Sequence, residues 1–408
     1  MKKFLSLVLA LVMTMSLVTV SAGAKDFADD SKITYKEAVD VMSAAKVIDG
    51  YTDGSFNPTA TLTRGAAAKI ICNLILGPTT ASALVADAAP YKDVPTNHTF
   101  AGYIAYCQKE KIISGYADGT FRPAASLTGY AFMKMLLGAL GYDAEVEQYT
   151  GANWSINVAK RALNIGLDDD LVGDFNGVKA VTREEACLYA LNTMTADMVE
   201  YDAKTTVSTN GTTVVIAGSK AKEMVNNGNT DGKIFGKDGV MQFAEKYFDN
   251  LTVKTGSDEF ERPANVWKLK AEEIGTYTNT PDLTYTKKVE AGDIYKDLNL
   301  GSTVAAKDVT VYVNGVEATA AEIDIKKGSD VAIGKAVNTN GNGVLTEVFY
   351  DKDDDSVIIT QVVTYVGQIN KSVAATSKKD AYVVIDKLQA KKNAICSVPT
   401  NLKKEAVN

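Results

Sequence analysis

The sequence has little of several residue types on which catalytic and metal sites depend. One histidine, His98, and four cysteines occur among 408 residues, and no Cys-x-x-Cys or Cys/His spacing suggests a zinc site. Gly-x-Ser-x-Gly, His-Glu-x-x-His and glycine-rich phosphate loops are also missing. We therefore expect a protein that is not an enzyme and that needs no cofactor.

Excess positive charge is missing as well. The net charge is −7 and the isoelectric point is about 5.1, whereas sequence-independent binding to nucleic acid needs clustered positive charge. Nucleic acid is therefore not an expected partner. Cys72, Cys107 and Cys187 lie inside apolar helical patterns, which favours buried and unpaired thiols.

Long apolar runs are missing except at the start of the chain. Lys2 and Lys3 precede an apolar run over residues 4–20, and Ala22-Gly23-Ala24 has the small-x-small pattern of a cleavage site. This predicts a signal peptide over residues 1–24 and an exported chain. A retained anchor is less favoured because the run is short for a bilayer span. We expect no membrane span after cleavage.

One stretch of sequence is repeated. GYTDGSFNP, residues 50–58, returns as GYADGTFRP, residues 115–123, and each copy lies between two amphipathic helical patterns. Asp-Gly predicts a tight turn, and the first glycine of each copy is expected to end a helix at positive φ. The loop residues predicted to be structural are Gly50, Asp53, Gly54, Gly115, Asp118 and Gly119.

A third and more diverged copy begins near Trp154 and lacks the loop motif. The second helix of every copy opens on a threonine, a good N-cap. Thr182 and Glu185 also have the spacing of a capping box. We predict three helix-loop-helix repeats, at residues 25–80, 90–142 and 150–200.

These repeats resemble surface-layer homology repeats, whose pattern is aromatic-x-Asp, a helix, GYxDGxFxP, and a second helix opening on (I/L)TRAE. The matching residues are Phe27 with Asp29, Tyr91 with Asp93, Leu62-Thr63-Arg64, and Val181-Thr182-Arg183. The resemblance implies an all-α bundle of three repeats in pseudo-threefold arrangement. It also implies binding to secondary cell-wall polysaccharide that is linked to peptidoglycan and often pyruvylated.

A pyruvate ketal gives a sugar chain a carboxylate, and an arginine in the first turn of a helix can bind it with a charge-assisted fork. The amides and dipole of that turn also favour an anion. The residues expected to bind polysaccharide are Arg64, Arg183, Asp29, Asp93, Trp154 and Gly129. Gly129 stands where the arginine of the second repeat is lost, so it either leaves amides open or marks a lost site.

Alternative roles remain open for these residues. Arg64 and Arg183 are equally suited to ion pairs between repeats. Trp154 either stacks on sugar or, as we favour, packs in the core.

Residues 205–408 change to alternating, β-rich patterns that predict one or two small β domains. TTVSTNGTTVVIAG and VTVYVNGVEATA each predict a type I′ hairpin at Asn-Gly. VLTEVFYDKDDDSVIITQVV predicts two strands across an acidic turn, and GVMQFAEKYF one short helix. Asp351, Asp353 and Asp355 of that turn suggest calcium, but ordinary use of aspartate in a hairpin loop is the favoured interpretation.

Together these features predict a noncatalytic, exported protein of the Gram-positive cell surface, anchored to wall polysaccharide. Its β-rich region would serve adhesion or surface-layer assembly, including self-assembly. One alternative is a wall-anchored hydrolase with its active site in the β-rich half. Another is an assembly module whose repeats no longer bind sugar.

Overall fold

The computed structural model describes residues 26–202, 205–209, 212–216, 220–300, 308–318, 343–352, 354–364, 367–373, 382–387 and 393–397. The predicted signal peptide and Asp353 lie outside these residues. The chain divides into two compact units. Residues up to 256 together with Ala264–Thr278 form the first, and Ser257–Pro263 together with the residues from 279 onward form the second.

Six helices build the repeats of the first unit. They are α1 Lys36–Ala44, α2 Arg64–Ser82, α3 Ala101–Lys109, α4 Gly129–Ala139, α5 Trp154–Asn164 and α6 Arg183–Thr195. Helix α2 is interrupted at Gly77, whose φ of 73° precedes Pro78. The predicted apolar faces are confirmed: Val41 and Met42 of α1, for example, are fully buried.

The helices pair between repeats. Helix α1 packs against α6, α2 against α3, and α4 against α5. Each pair therefore joins the second helix of one repeat to the first helix of another, so the apolar stripe of a single repeat is covered by its neighbours.

Three buried residues that precede the second helices hold the repeats together. The Leu62 amide donates to the Val181 carbonyl at 2.8 Å, the Leu127 amide to the Leu62 carbonyl at 2.9 Å, and the Val181 amide to the Leu127 carbonyl at 2.9 Å. These hydrogen bonds form a closed ring, because each of the three repeats donates one of them and accepts another.

The first two amides of each second helix also bind a neighbouring repeat, at carbonyls of its loop. The donors and acceptors are Arg64 to Ala125, Gly65 to Pro123, Gly129 to Lys179, Tyr130 to Gly177, Arg183 to Ala60, and Glu184 to Pro58. These amides are therefore satisfied within the protein. Our expectation that the helix starts offer free amides to an anion is wrong at these positions.

Gly50 and Gly115 have a different role from the predicted one. Neither has a positive φ; Lys46 and Lys111, each with φ of 59°, follow the preceding helices instead. A Cβ at Gly50 would lie 2.5 Å from the Phe27 ring, so glycine is required there by close packing. The expected helix ending at these glycines is therefore wrong.

Threonine caps two of the second helices. Thr63 accepts a hydrogen bond from the Ala66 amide at 3.2 Å, and Thr182 forms the predicted capping box with Glu185. Thr128 precedes α4 in the same extended conformation but makes no side-chain capping bond.

The remainder of the first unit contains short strands, helix α7 and a three-stranded sheet. The strands are β1 Val199–Glu200, β2 Thr205–Thr209, β3 Thr212–Ile216, β4 Lys222–Glu223, β5 Leu251–Ser257, β6 Pro263–Leu269 and β7 Glu272–Thr278, and α7 spans Phe243–Tyr247. Strands β2 and β3 pair as the first predicted hairpin requires, and its predicted Asn-Gly turn, residues 210–211, lies outside the described residues. The predicted short helix corresponds to α7.

The β5-β6-β7 sheet packs on the repeats through buried polar contacts. Trp267 Nε1 donates to Glu37 at 2.5 Å, and the Tyr277 hydroxyl donates to Asp40 at 2.9 Å. The buried side chains of Trp267 and Tyr277 belong to the same apolar cluster as the repeat helices. The first unit thus has one core shared by helices and sheet.

Among its described residues, the second unit holds two sheets and one helix. Its elements are β8 Leu283–Tyr285, α8 Ala291–Asp297, β9 Val309–Val313, β10 Val316–Glu317, β11 Val344–Asp351, β12 Ser356–Val363, β13 Gly367–Val373, β14 Tyr382–Lys387 and β15 Asn393–Ser397. The strand orders are β10-β9-β12-β11-β8 and β13-β14-β15, with β9 parallel to β12. Helix α8 was not predicted.

Both hairpins predicted in this unit are confirmed. Asn314 and Gly315 join β9 and β10 with φ of 50° and 76°, as a type I′ turn requires. Strands β11 and β12 pair across the acidic turn. The predicted order of helical repeats followed by β-sheets in a multidomain chain is therefore confirmed.

Candidate functional site

Arg64 begins α2 and reaches into the loop of the second repeat. Its Nε donates to the Phe121 carbonyl at 2.7 Å, and its Nη2 donates to the Ser114 carbonyl at 3.3 Å. The guanidinium carbon lies 4.4 Å from the Phe121 ring centre and 5.1 Å from that of Tyr116. Partial burial lowers the pKa of Arg64.

Arg183 begins α6 and makes the same contacts with the loop of the first repeat. Its Nε donates to the Phe56 carbonyl at 2.9 Å, and its Nη2 donates to the Asp49 carbonyl at 2.8 Å. The guanidinium carbon lies 4.7 Å from the Tyr51 ring centre and 4.8 Å from that of Phe56. Two of the three repeat boundaries therefore have the same arrangement of one arginine, two aromatic rings and two carbonyls.

Neither arginine forms a salt bridge with a carboxylate among the side chains that the structure describes. The proposed ion pairs between repeats are therefore not formed within that part of the chain. Backbone carbonyls fix the orientation of each guanidinium without neutralising its charge. Nη1 of each arginine is not used in the hydrogen bonds to the loop, so a donor and a full positive charge remain for an anion.

The Arg64 boundary opens into a cleft of about 440 Å³. Two charged side chains line it, Arg64 and Lys134, and both are cationic; no aspartate or glutamate is among the lining residues. Tyr116, Phe121 and Trp154 add aromatic rings to its wall. In a chain of net charge −7, this cleft combines positive charge with aromatic surface.

Lys134 was missed by the sequence analysis. It lies within the apolar stretch AFMKMLL of α4, where one lysine is usually a solvent-facing position. Burial lowers its pKa, and its Nζ lies 5.7 Å from the Trp154 ring centre. A half-buried lysine facing an aromatic ring in a cleft is a useful signal of a binding site.

Trp154 begins α5 and is only half-buried. Its ring meets Tyr130 edge-on, with ring centres 6.5 Å apart, and it also lines the Arg64 cleft. The side chain thus has a packing contact on one side and an open cleft on the other.

Gly129 occupies the third repeat boundary, and this boundary is closed. A Cβ at Gly129 would lie 3.1 Å from the Gly177 Cα and 3.2 Å from the Phe175 ring. The depression beside it measures about 70 Å³, and its lining includes Asp174 and the ion pair of Lys179 with Glu185. The small volume leaves little room for an acidic sugar at this boundary.

Asp29 and Asp93 hold the loops of their own repeats. Asp29 accepts hydrogen bonds from the Phe56 amide at 2.7 Å and the Asn57 amide at 2.8 Å. Asp93 accepts from Phe121 and Arg122 in the same way, at 2.7 Å each. The bond from the Phe56 amide is the main reason that the pKa of Asp29 is lowered.

Asp53 and Asp118 shape the tight turns. Asp118 accepts from the hydroxyl of Thr120 at 2.6 Å and from its amide at 2.9 Å, and these bonds lower the pKa of Asp118 to about 2. Asp53 binds Ser55 in the same manner. Gly54 and Gly119 follow with φ of 85° and 81°, which explains the two Asp-Gly pairs.

The acidic turn of the second unit shows ordinary hairpin contacts at two aspartates. Asp351 accepts from the Asp354 amide at 3.3 Å, and Asp355 accepts from the Tyr350 hydroxyl at 2.7 Å. Among the described residues, no group of three or more His, Cys, Asp or Glu side chains is arranged for a metal ion. Asp353, the remaining residue of that hypothesis, is not described.

Tyr51 and Tyr116 are further candidate site residues that the sequence pattern did not single out. They are 48% and 43% exposed, although they belong to the same loops as the buried Phe56 and Phe121. An aromatic residue that recurs at one loop position and stays exposed is the signal that could have found them.

Comparisons with known proteins agree with the repeat architecture. Residues 26–68 and 90–129 match the family model of the S-layer homology domain. A surface layer protein of Brevibacillus choshinensis is 28% identical over 148 residues, which cover 36% of this chain and 13% of the relative. An S-layer protein of Bacillus licheniformis is 24% identical over 346 residues, covering 78% of this chain and 39% of the relative.

An uncharacterized cell wall amidase of Bacillus anthracis is 26% identical over 156 residues, covering 36% of this chain and 28% of the relative. The chain therefore spans well under half the length of each of these relatives. Within the described residues, no helix has the length and apolarity needed to cross a membrane. The chain therefore carries S-layer homology domains at residues 26–68 and 90–129, and its similarity to surface-layer proteins supports an exported protein of the bacterial cell wall and cell surface.

Proposed function

We propose that the three repeats anchor the protein noncatalytically to secondary cell-wall polysaccharide that is linked to peptidoglycan. The repeats would be arranged about a pseudo-threefold axis. The closed ring of hydrogen bonds among Leu62, Leu127 and Val181 supports this arrangement, as does the pairing of helices between repeats.

One observation carries the proposal of binding: the two charged side chains that line the Arg64 cleft are both cations, and no aspartate or glutamate lines it with them. Pyruvylated sugar is an acidic polymer with one carboxylate per modified residue. Arg64 would bind that carboxylate through Nη1, and Lys134 would add a second positive charge. Tyr116 and Trp154 would contact the apolar face of a sugar ring.

We propose two binding grooves. The Arg183 boundary repeats the Arg64 geometry with Tyr51 and Phe56, whereas the Gly129 boundary is closed. Asp29 and Asp93 would act indirectly by fixing the loops that carry these rings, because their oxygens already bind backbone amides. Two grooves of modest affinity on one polymer would together hold the protein firmly.

Sedimentation with cell-wall sacculi tests the proposal. The full chain should sediment with native sacculi and should remain in solution with sacculi stripped of their secondary polymer. An acidic fragment of the polymer should compete, and its methyl ester should not. Equal sedimentation with both kinds of sacculi would exclude the proposal and would point to another wall component.

Single variants test the grooves. A desolvated charge-assisted contact is worth about 1.5–3 kcal/mol, so Arg64→Ala and Lys134→Gln should each weaken binding roughly tenfold or more. Lys109→Gln removes an exposed charge at the end of α3 and is the matched control. Unchanged affinity of both cleft variants, with normal melting curves, would assign these cations a structural role only.

The β-rich remainder is proposed to serve adhesion or surface-layer assembly, including self-assembly. Light scattering of the purified chain at increasing concentration measures this directly. If the repeats do not bind sacculi but the chain still assembles, the repeats act only as an assembly module.

The amidase relative favours a wall hydrolase as the second candidate function. A larger cleft of about 710 Å³ in the first unit contains Glu147, Asp197 and Glu223. Each of these carboxylates already binds another side chain: Arg161, Gln242 and Lys237, respectively. Release of soluble peptides or sugars from purified sacculi by the chain would establish the hydrolase, whereas no release would support the noncatalytic proposal.

A further inference from the structure

Two cysteine side chains meet in the core between the first and second repeats. Cys72 lies on α2 and Cys107 on α3, and both are fully buried. Their Sγ atoms are 3.6 Å apart, so the two thiols are in direct contact.

Backbone carbonyls orient both thiols. Cys72 Sγ can donate to the Tyr103 carbonyl at 3.5 Å, and Cys107 Sγ to the Ala68 carbonyl at 3.7 Å. No third His, Cys, Asp or Glu joins them in a potential metal site among the described residues. The pair therefore lacks the ligands of a metal centre but has the proximity that a disulfide needs.

We propose that Cys72 and Cys107 form a disulfide site that links the first two repeats covalently when it is oxidised. An exported protein leaves the compartment in which thiols are kept reduced. The sulfur atoms would need to approach by about 1.5 Å from their separation of 3.6 Å to reach the length of a disulfide bond. The inference does not depend on what the grooves bind.

The oxidant is a low-molecular-weight disulfide. The thiolate of one cysteine attacks it, forms a mixed disulfide and releases one small thiolate. The thiolate of the other cysteine then attacks the protein sulfur of that mixed disulfide and releases the second. The two cysteines lose two electrons, the oxidant gains them, and the two protons of the cysteines pass to the released thiolates.

The reaction should be slow while α2 and α3 stay packed. The hydrogen bond with Cys72 and then burial raise the pKa of the Cys107 thiol well above its ordinary value. Cys107 is therefore protonated at neutral pH, and exchange requires a thiolate. Oxidation should proceed during folding or on local opening of these helices.

The link would also fix a functional boundary, because Arg64 belongs to the first repeat and its carbonyl partners to the second. The two cysteines are 35 positions apart. A cross-link over this distance restricts the unfolded chain, and the melting temperature should rise by roughly 5–10 °C.

Disulfide mapping of the full chain tests the proposal. The reduced protein is incubated with oxidised glutathione in mildly alkaline buffer containing urea below the unfolding transition, and the urea is then removed. Peptide mapping should find one linkage, Cys72 to Cys107, with two fewer titratable thiols and a higher melting temperature. Dithiothreitol should reverse all three changes.

Two double variants make the result decisive. Cys187→Ala with Cys396→Ala keeps the pair and should give the same linkage. Cys72→Ala with Cys107→Ala should gain neither a linkage nor thermal stability from the oxidant. Unchanged thiols, glutathione adducts without a linkage, or a linkage through Cys187 or Cys396 would each overturn the proposal.

Discussion

The Nε of Arg183 donates a hydrogen bond to the carbonyl oxygen of Phe56, which lies 127 positions earlier in the chain, at 2.9 Å. The third repeat is thereby joined to the first, as Arg64 joins the first repeat to the second through Phe121. The same arginines that are proposed to bind sugar therefore also connect repeats, and the two roles can be separated experimentally.

Arg183→Ala should lower the free energy of unfolding by roughly 1–3 kcal/mol, because two carbonyls lose their charged donor. Urea unfolding followed by circular dichroism measures this. Arg183→Lys keeps the charge but cannot contact both carbonyls in the same way, so it should be intermediate. Equal stability of the alanine variant and the parent would show that these hydrogen bonds contribute nothing net.

Threonine capping should differ among the repeats. Thr63→Ala and Thr182→Ala should each destabilise the protein by about 1 kcal/mol, because each removes a capping hydrogen bond. Thr128→Ala should cost clearly less, since this hydroxyl makes no such bond. Chemical denaturation of the three variants measures the difference, and equal losses at all three positions would contradict the assignment.

Gly50→Ala should destabilise the first unit by roughly 1–3 kcal/mol, because the new methyl group would meet the Phe27 ring at 2.5 Å and the Ser55 carbonyl at 2.8 Å. Gly138→Ala is the matched control. This helical position has only ordinary contacts, at 3.4 Å from Ile112, and alanine favours helix. Melting temperatures should fall for the first variant and stay level or rise for the second.

The contact between the repeats and the β5-β6-β7 sheet should depend on pH. Burial raises the pKa of Glu37 above 4.5; hydrogen bonds from Trp267 and Asn265 oppose this rise, and the charge of Asp170 adds to it. Burial also raises the pKa of Asp40 above 3.8; Lys36 and Tyr277 oppose this rise, and the charge of Asp30 adds to it. The folded chain then holds these protons more tightly than the unfolded chain. Their stabilising contribution is present below the ordinary pKa values and is lost as pH rises through the raised ones.

Glu37→Gln tests this dependence, because the amide oxygen can still accept both hydrogen bonds. The variant should be more stable than the parent at neutral pH, and its free energy of unfolding should change less between acidic and neutral solution. Asp87→Asn, at an exposed position, should leave the profile of the parent unchanged. A variant profile parallel to that of the parent would contradict the role of Glu37.

Local features of the fold were predictable because each depends on a few neighbouring residues. The spacing of Thr182 and Glu185 predicted the capping box that they form, and the Asn314-Gly315 pair predicted a type I′ turn. The need for glycine at position 50 was not predictable from the neighbouring residues, because the Phe27 ring that excludes a side chain there belongs to another segment of the chain.

The candidate site residues also divide into those that the local sequence predicts and those that depend on distant segments. Arg64 and Arg183 followed from the repeated motif, but their carbonyl partners depend on which repeats are neighbours. Lys134 was missed because a lysine in an apolar helix is normally solvent-facing, and only the cleft beside Trp154 gives it another role.

The closed ring of hydrogen bonds among Leu62, Leu127 and Val181 limits how the protein can change in evolution. An open solenoid can gain or lose a repeat at its end, because each repeat contacts only its neighbours in sequence. Here the third repeat returns to the first, so a fourth has no free end to join. A longer protein would have to add another complete set of three repeats, whereas loss of one repeat would expose the helix faces of both others.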